Sequence, residues 1–525
     1  MRRLALFLGV ATAALLAAPS ALASGLTDYG RDLDAPESIL RFDGYFRTRG
    51  SLFFNLDLDR GPTPSGQLFF PVPVERTGQW LSAFDMRGRA DIGIYAPWGD
   101  MAIKSRIDVL DNVALGSAPE GIPAASATQR ADDPAIRIRR LYGEVLTPLG
   151  LLAIGRMGAH WGLGMLANGG DCLDCDKGDS ADRVAFVTPL ADHLWAIAYD
   201  FSATGPFEPD RTEARVIDVE PSAMVHTFSF AVSRWRGEAA RARRAKAGKI
   251  TPEYGALLSY RFQDSDIPAT YLPTAQPVPL EPGQVMARGY DAFAADLWLR
   301  FEGRNFRVEA EAAYQHAEVA QASLIPGALY REPVLSNAFG AALETEAGDD
   351  EGRFRGGLNA GFASGDQAPG FGAYPPAYGT APAPGDLDGP QANPPFDREV
   401  NNFRFHSDYR IDRVLFREII GTVTDAIYLK PHLRYDLFTN LRGKLTVGLA
   451  GIVSFAAVPE STPSGDRMLG VELDPTILYQ SDVGFSAALE QGTLFPLSGL
   501  DGAALPAQIA QVWRLRLAYV FGVGL

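Results

Sequence analysis

Cysteine is nearly missing from this chain: 525 residues carry two, Cys172 and Cys175. A framework of several disulfides is thereby excluded as the source of its stability. Long apolar runs are missing too. Beyond the first two dozen residues nothing reaches the roughly 18 uninterrupted apolar residues of a membrane-crossing helix. Positive charge is in deficit, with 48 Lys and Arg against 63 Asp and Glu and a net charge of −15. Such a balance gives no support for nucleic-acid binding, which needs clustered cations. The six histidines stand in no metal-binding spacing and no Gly-x-Ser-x-Gly occurs. Enzymatic activity and a resident cofactor are therefore not expected.

What is present begins with an export signal. Arg2 and Arg3 precede an apolar stretch from Leu4 to Ala18, and Ala21-Leu22-Ala23 makes a small-x-small cleavage site. Residues 1–23 read as a signal peptide and 24–37 as a periplasmic N-terminal segment, so the chain is expected to leave the cytoplasm. Residues 38–525 then read as one unit, because no linker or shift of composition divides them.

Period-two alternation runs through that unit. Trp513, Leu515, Leu517, Tyr519 and Phe521 share one face of a terminal strand, while Arg514 and Arg516 fall on the other. Phe42 and Phe46 oppose Arg41, Asp43, Arg47 and Arg49; Phe84 and Met86 oppose Asp85, Arg87 and Arg89. An apolar face backed by charge fits a half-buried soluble strand or a strand between lipid and an aqueous lumen.

Connection lengths separate the two. Long segments (57–79, 112–134, 158–182, 317–334) alternate with short turns such as Ala96-Pro97-Trp98-Gly99-Asp100 and Pro148-Leu149-Gly150. That is the pattern of an outer-membrane barrel with short periplasmic turns and long external loops. Strands are expected near 39–54, 79–96, 100–111, 135–147, 150–158, 182–189, 193–203, 222–235, 252–264, 289–302, 305–316, 335–346, 353–364, 424–437, 441–455, 467–480, 483–495 and 508–521. The expected fold is all-β: a transmembrane antiparallel barrel of about 18 strands. Residues 366–423 read as one long external insertion carrying a short helix, because Leu415, Ile419 and Ile420 recur at helical spacing. A loop of that length is expected to fold over or into the mouth. The one long periplasmic connection, 236–249, is strongly basic and reads as a solvated turn with anionic partners as the alternative.

Inward charge is uneven. Arg41, Arg47, Arg49, Arg87, Arg89, Lys104, Arg106, Arg137, Arg140 and Arg156 lie on the early strands. Closure would bring Arg434, Arg514 and Arg516 to the same wall, facing an acidic wall of Asp296, Glu309, Glu311, Glu344 and Glu346. Cationic pore linings select anions, whereas cross-strand ion pairing would use the same charges for structure alone.

The densest polar segment is 169–182. Cys172 and Cys175 are expected to pair in an exposed external loop. Asp171, Asp174, Asp176 and Asp179 offer the oxygen ligands that Ca²⁺ takes, as an alternative to plain solvation.

Gly361-Phe362-Ala363-Ser364-Gly365-Asp366 and Leu429-Lys430-Pro431-His432-Leu433 resemble motifs of alginate-export-type outer-membrane channels, and the chain also resembles a family of porin-like outer-membrane proteins with the same cysteine loop. The resemblance implies an 18-stranded barrel with an Arg-lined pore for an anionic polymer. The expectation from the residues is an outer-membrane channel for a polar, anionic solute. Its expected partners are outer-membrane lipid, lipopolysaccharide and the barrel assembly machinery, with the oligomeric state left open. A structural or adhesive barrel plugged by its own loop is the alternative.

Overall fold

A computed structural model describes residues 39–64, 66–74, 79–114, 136–202, 207–209, 212, 216–267, 281–323, 329–348, 352–372, 392, 397–440, 442–502 and 504–524. The signal peptide and the 24–37 segment lie outside them. The strands are β1 (Leu40–Phe54), β2 (Trp80–Tyr95), β3 (Met101–Ala114), β4 (Ile136–Thr147), β5 (Gly150–Gly158), β6 (Ser180–Leu190) and β7 (His193–Ser202). A small hairpin of β8 (Phe207–Pro209) and β9 (Val216–Asp218) follows, then β10 (Val225–Arg234), helix α1 (Glu238–Lys246), β11 (Thr251–Asp266), β12 (Met286–Glu302), β13 (Phe306–Val319), β14 (Val334–Gly348) and β15 (Phe354–Ala363). After the insertion come β16 (Ala426–Asn440), β17 (Gly443–Ala456), β18 (Met468–Ser481), β19 (Phe485–Pro496) and β20 (Ala510–Gly524).

Eighteen of these strands form one antiparallel sheet in chain order, and the hairpin β8–β9 stands apart. β1 pairs with β2 on one edge and with β20 on the other, from Arg41 opposite Gly524 to Phe54 opposite Gln511. The sheet is therefore closed and has no free edge. Short turns and long connections alternate as the sequence predicts.

The side chains obey the same alternation. Phe46, Phe84, Leu515 and Tyr519 are 47–49% exposed on the outside, while Arg47 and Arg87 are fully buried inside. An exterior of aliphatic and aromatic side chains is stable only against hydrocarbon, and the closed ladder pairs the backbone of each strand with a neighbour on both sides. Arg156 departs from expectation: two residues on from the exposed Ile154, it shares that outward face, where Asp182 takes it at 2.7 Å.

The interior is not polar throughout. Ala153, Ala185, Ala196, Ala198 and Ala231 line β5–β7 and β10, and Trp161 packs on them from the β5–β6 connection. A second apolar cluster joins the insertion (Phe403, Phe405, Val414, Leu415, Phe416, Ile419) to the inner faces of β16, β17, β19 and β20. The short helix of the insertion is a single wide turn at Leu415–Ile419: Ile419 and Ile420 donate to carbonyls five residues back, at 3.1 and 2.8 Å. Leu415, Ile419 and Ile420 are its buried face. The sequence-predicted turn at 236–249 is instead built around α1, whose Glu, Ala, Arg and Lys residues are good helix formers.

Candidate constriction of the barrel lumen

Two connections enter the barrel and meet there. The first is the cysteine loop between β5 and β6. It is not an exposed external loop; it lies against the basic wall, which grips its backbone. Arg47 donates to Leu173 O (2.8 Å), Arg87 to Cys175 O (2.6 Å) and Asp176 O (3.3 Å), Arg89 to Gly170 O (2.7 Å), and Arg140 to Gly169 O. Cys172 and Cys175 form a disulfide with Cα atoms 5.1 Å apart, which fixes the turn that presents these carbonyls.

The aspartates of the loop complete the grip. Asp171 takes Arg106 and, at 3.0 Å, Arg140. Arg49 donates to both Asp174 and Asp176 at 3.0 Å. Burial opposes ionisation of Asp171, yet Arg140 and Arg106 override it and hold the carboxyl at about 2. Burial likewise opposes ionisation of Asp174, and Arg417 and Arg410 hold it well below the usual carboxylate range. The calcium reading needs these carboxylates to converge. Instead Asp171 is turned to Arg106 and Arg140, Asp174 and Asp176 converge on the guanidiniums of Arg49 and Arg410, and Asp179 accepts the Asn168 N–H (3.2 Å). No metal-type cluster of His, Cys, Asp and Glu occurs among the described residues.

The wall also neutralises itself. Arg89 and Asp108 pair bidentately (2.7 and 2.8 Å), as do Arg106 and Asp91 (2.6 and 2.9 Å). Arg87 holds Asp111 at 2.7 Å, Lys104 holds Glu144 at 2.9 Å, and Arg41 pairs with Asp43. The register places Arg89 opposite Asp108 and Asp91 opposite Arg106. Arg434 does not join this wall; on β16 it pairs with Glu346 of β14.

The second entrant is the insertion, held by the opposite chemistry. Glu472 of β18 accepts the N–H groups of Arg413 (2.8 Å), Val414 (2.8 Å) and Leu415 (3.1 Å). Asp412 accepts those of Phe416 (2.8 Å) and Arg417 (3.1 Å), and burial together with Glu472 pushes its carboxyl well above the usual range. Glu344 takes the Tyr409 hydroxyl at 3.2 Å. The other sequence-predicted acidic residues hold the start of the β5–β6 connection and a barrel strand instead. Asp296 accepts the Trp161 indole N–H (2.9 Å), Glu311 accepts the Leu163 and Leu166 N–H groups, and Glu309 accepts the Trp298 indole N–H (2.8 Å).

The two entrants join through Arg410 to Asp176 and Arg417 to Asp174, both at 2.6 Å, and through Asp408, which accepts the N–H groups of Asp176 (2.8 Å) and Lys177 (3.0 Å). Arg514 reaches Glu418 from β20 at 2.5 Å; Arg413 and Arg516 share Glu490 at 3.0 and 3.3 Å. Sequence reasoning missed Asp408, Arg410, Asp412, Arg413 and Arg417. Their signal was a charge-dense stretch inside a loop otherwise rich in Pro and Gly. The motif at the start of the insertion is its hinge. Ser364 Oγ receives the N–H groups of Phe339 (2.9 Å) and Phe403 (3.2 Å), and Asp366 receives that of Asn401 (2.8 Å). Gly365 lies so close to the Asp425 carboxylate that no side chain fits there.

No family model matches the chain, and no curated protein does. Solved structures similar to it include the outer membrane protein OpdK of Pseudomonas aeruginosa (12% identity, TM-score 0.44, covering 92% of this chain and 99% of that one). OccK11 (OpdR) of the same organism (10%, TM-score 0.46, 92% and 96%) and OccAB4 of Acinetobacter baumannii (10%, TM-score 0.43, 93% and 99%) are further examples.

Proposed function

We propose that the chain is an outer-membrane channel in which two in-folded loops leave a narrow, charge-lined passage for a polar, anionic solute. Its surroundings are then outer-membrane lipid and lipopolysaccharide, and its insertion depends on the barrel assembly machinery. The observation that carries this reading is a closed, lipid-compatible barrel whose central charges keep solvent access: the Asp176 side chain, between both loops, is 22% exposed. On β16 and β17 the cations are the more accessible partners, whereas Asp192 and Glu302 at the turns are more exposed than the arginines they hold. Arg434 is 49% exposed against 24% for Glu346, and Lys444 is 36% against 16% for Asp436. Selectivity follows the local lining, so an acidic chain passes anions when its accessible lumen groups are cationic.

Planar-bilayer recording of the purified protein tests this. A steady current with a reversal potential on the anion side supports it. A current that prefers cations removes the anionic solute. A folded but silent protein favours the second reading, a barrel plugged by its own loops, to which the joint between Asp174, Asp176, Arg410 and Arg417 also lends itself.

A further inference from the structure

The basic connection 236–249 takes no part in the constriction. It is the one long connection on the turn side of the barrel among the described residues, and it leaves β10 on the inner face. Ser233 is buried there, and Trp235 packs on the inner apolar cluster. Two arginines of α1 are turned back to the barrel. Arg241 Nε lies 3.0 Å from Glu302, and its Nη1 donates to Arg236 O (2.7 Å). Arg244 donates to Thr251 Oγ1 (3.1 Å) and Ile250 O (2.8 Å), while the Arg236 N–H donates to Glu253 (2.6 Å). Thr251 and Glu253 belong to the lumen-facing row of β11. Gly255, next in that row, abuts Trp161 inside the barrel. These ties hold α1 beneath the rim of the lumen.

On its other side α1 is unoccupied by protein. Arg243, Lys246 and Lys249 are exposed, and their side chains have no ion-pair or hydrogen-bond partner among the described residues. Cations at the end of a helix also favour the helix itself, but Lys249 lies beyond it. The same side of the lumen presents Arg355 and Arg434, each more exposed than the Glu346 they share.

We propose that α1 is a charged lip of the turn-side mouth, and that Arg243, Lys246 and Lys249 draw small anions to it. The proposal rests on the channel reading above and names residues that set its conductance from one side. Uncompensated charge at a mouth raises the local concentration of the opposite ion. Its field extends about 10 Å at 0.1 M salt and about 3 Å at 1 M, so the effect belongs to dilute salt.

The test is single-channel recording in 0.1 M and 1 M KCl on the full barrel. It compares wild type with R243Q/K246Q/K249Q and with the charge-keeping R243K/K246R/K249R. In 0.1 M KCl the neutral variant should lose roughly half or more of the chloride current entering from the turn side, as expected when local enrichment is removed. Its current–voltage curve should rectify, and its reversal potential in a KCl gradient should move towards K⁺. In 1 M KCl it should match wild type, and the charge-keeping variant should match wild type throughout. A neutral variant indistinguishable from wild type in 0.1 M KCl overturns the lip alone. So does a charge-keeping variant as altered as the neutral one, because the role would then be structural. A wild type that carries no current overturns the channel reading and the lip together.

Discussion

The wall holds the tip of the cysteine loop and the turn of the insertion, the two segments that meet inside the barrel, by opposite chemistry. The cysteine loop is gripped by its oxygens: eight arginines of the wall and the insertion take its carbonyls and carboxylates. The insertion is gripped by its N–H groups: Glu472 and Asp412 take five of them around one short turn. The wall thus carries cations where a loop presents acceptors and carboxylates where a loop presents donors. The charge asymmetry of the lumen is in large part a seating plan for two loops, and only the charges left accessible are available to a passing ion. The buried arginines and aspartates of the basic wall are tolerable because they are paired and hydrogen-bonded, whereas Glu472 and Asp412 have backbone N–H groups as their hydrogen-bond donors.

Single losses on either side should be the most damaging changes. Arg87→Met takes one of its arginines from Asp111, which keeps Arg139, and frees two carbonyls of the cysteine loop. Glu472→Ala orphans three backbone N–H groups of the insertion. Each should lower stability by about 3–5 kcal/mol, the scale for breaking a buried, hydrogen-bonded charge. Denaturant unfolding in detergent measures this. Protease nicking should then appear in 169–182 for the first variant and in 397–423 for the second. Nicking at the same site in both would merge the two seats into one.

Opening the disulfide should act on one side only. A four-residue ring constrains the unfolded chain by about 2 kcal/mol in the chain-entropy account. Cys172→Ser with Cys175→Ser should therefore cost about that much and raise current noise, while the insertion keeps its protease resistance.

The joint between the segments should show coupling. Asp174→Arg and Arg417→Asp should each destabilise, and the double exchange should restore about 1 kcal/mol relative to the sum of the singles. A coupling of zero would mean that the segments are seated independently.

The smallest effect concerns pH, and the two segments should respond at opposite ends of the scale. Asp171 is held at about 2, below its usual 3.8. Its contribution is complete above 3.8 and is lost as pH falls through 2. Burial pushes Asp425, at the end of the insertion, up to about 7. The fold therefore binds that proton more tightly than the unfolded chain, and stability falls as pH rises from 3.8 through 7. A thermal midpoint followed from pH 2 to 9 should decline at both ends, and Asp425→Asn should flatten the upper decline alone.

Most of the barrel was legible because alternation is a local signal that survives in single strands. The expected 79–96 and 467–480 became Trp80–Tyr95 and Met468–Ser481. The inward folding of the insertion was legible from its length. The fate of the cysteine loop was not. Acidic side chains beside glycines read as solvated, and only the closed sheet brings Arg47, Arg87, Arg89 and Arg140 to the same carbonyls. Alternation tells which face a side chain takes, not what the lumen holds opposite it. That is also why the alanine-lined inner face under Trp161 escaped notice, and why Arg434 was assigned to the wrong wall. Arg156 was misplaced for a simpler reason, since a rim residue can face outward and still reach an aspartate.

The pairing of β1 with β20 sets the order of manufacture. Leu52 lies opposite Trp513, so the seam joins the first strand of the sheet to the last. Until β20 arrives, the growing sheet carries two raw edges, each a template for the wrong neighbour. Contacts so distant along the chain form slowly. The finished object is edgeless and durable; its precursor is exposed along its whole length.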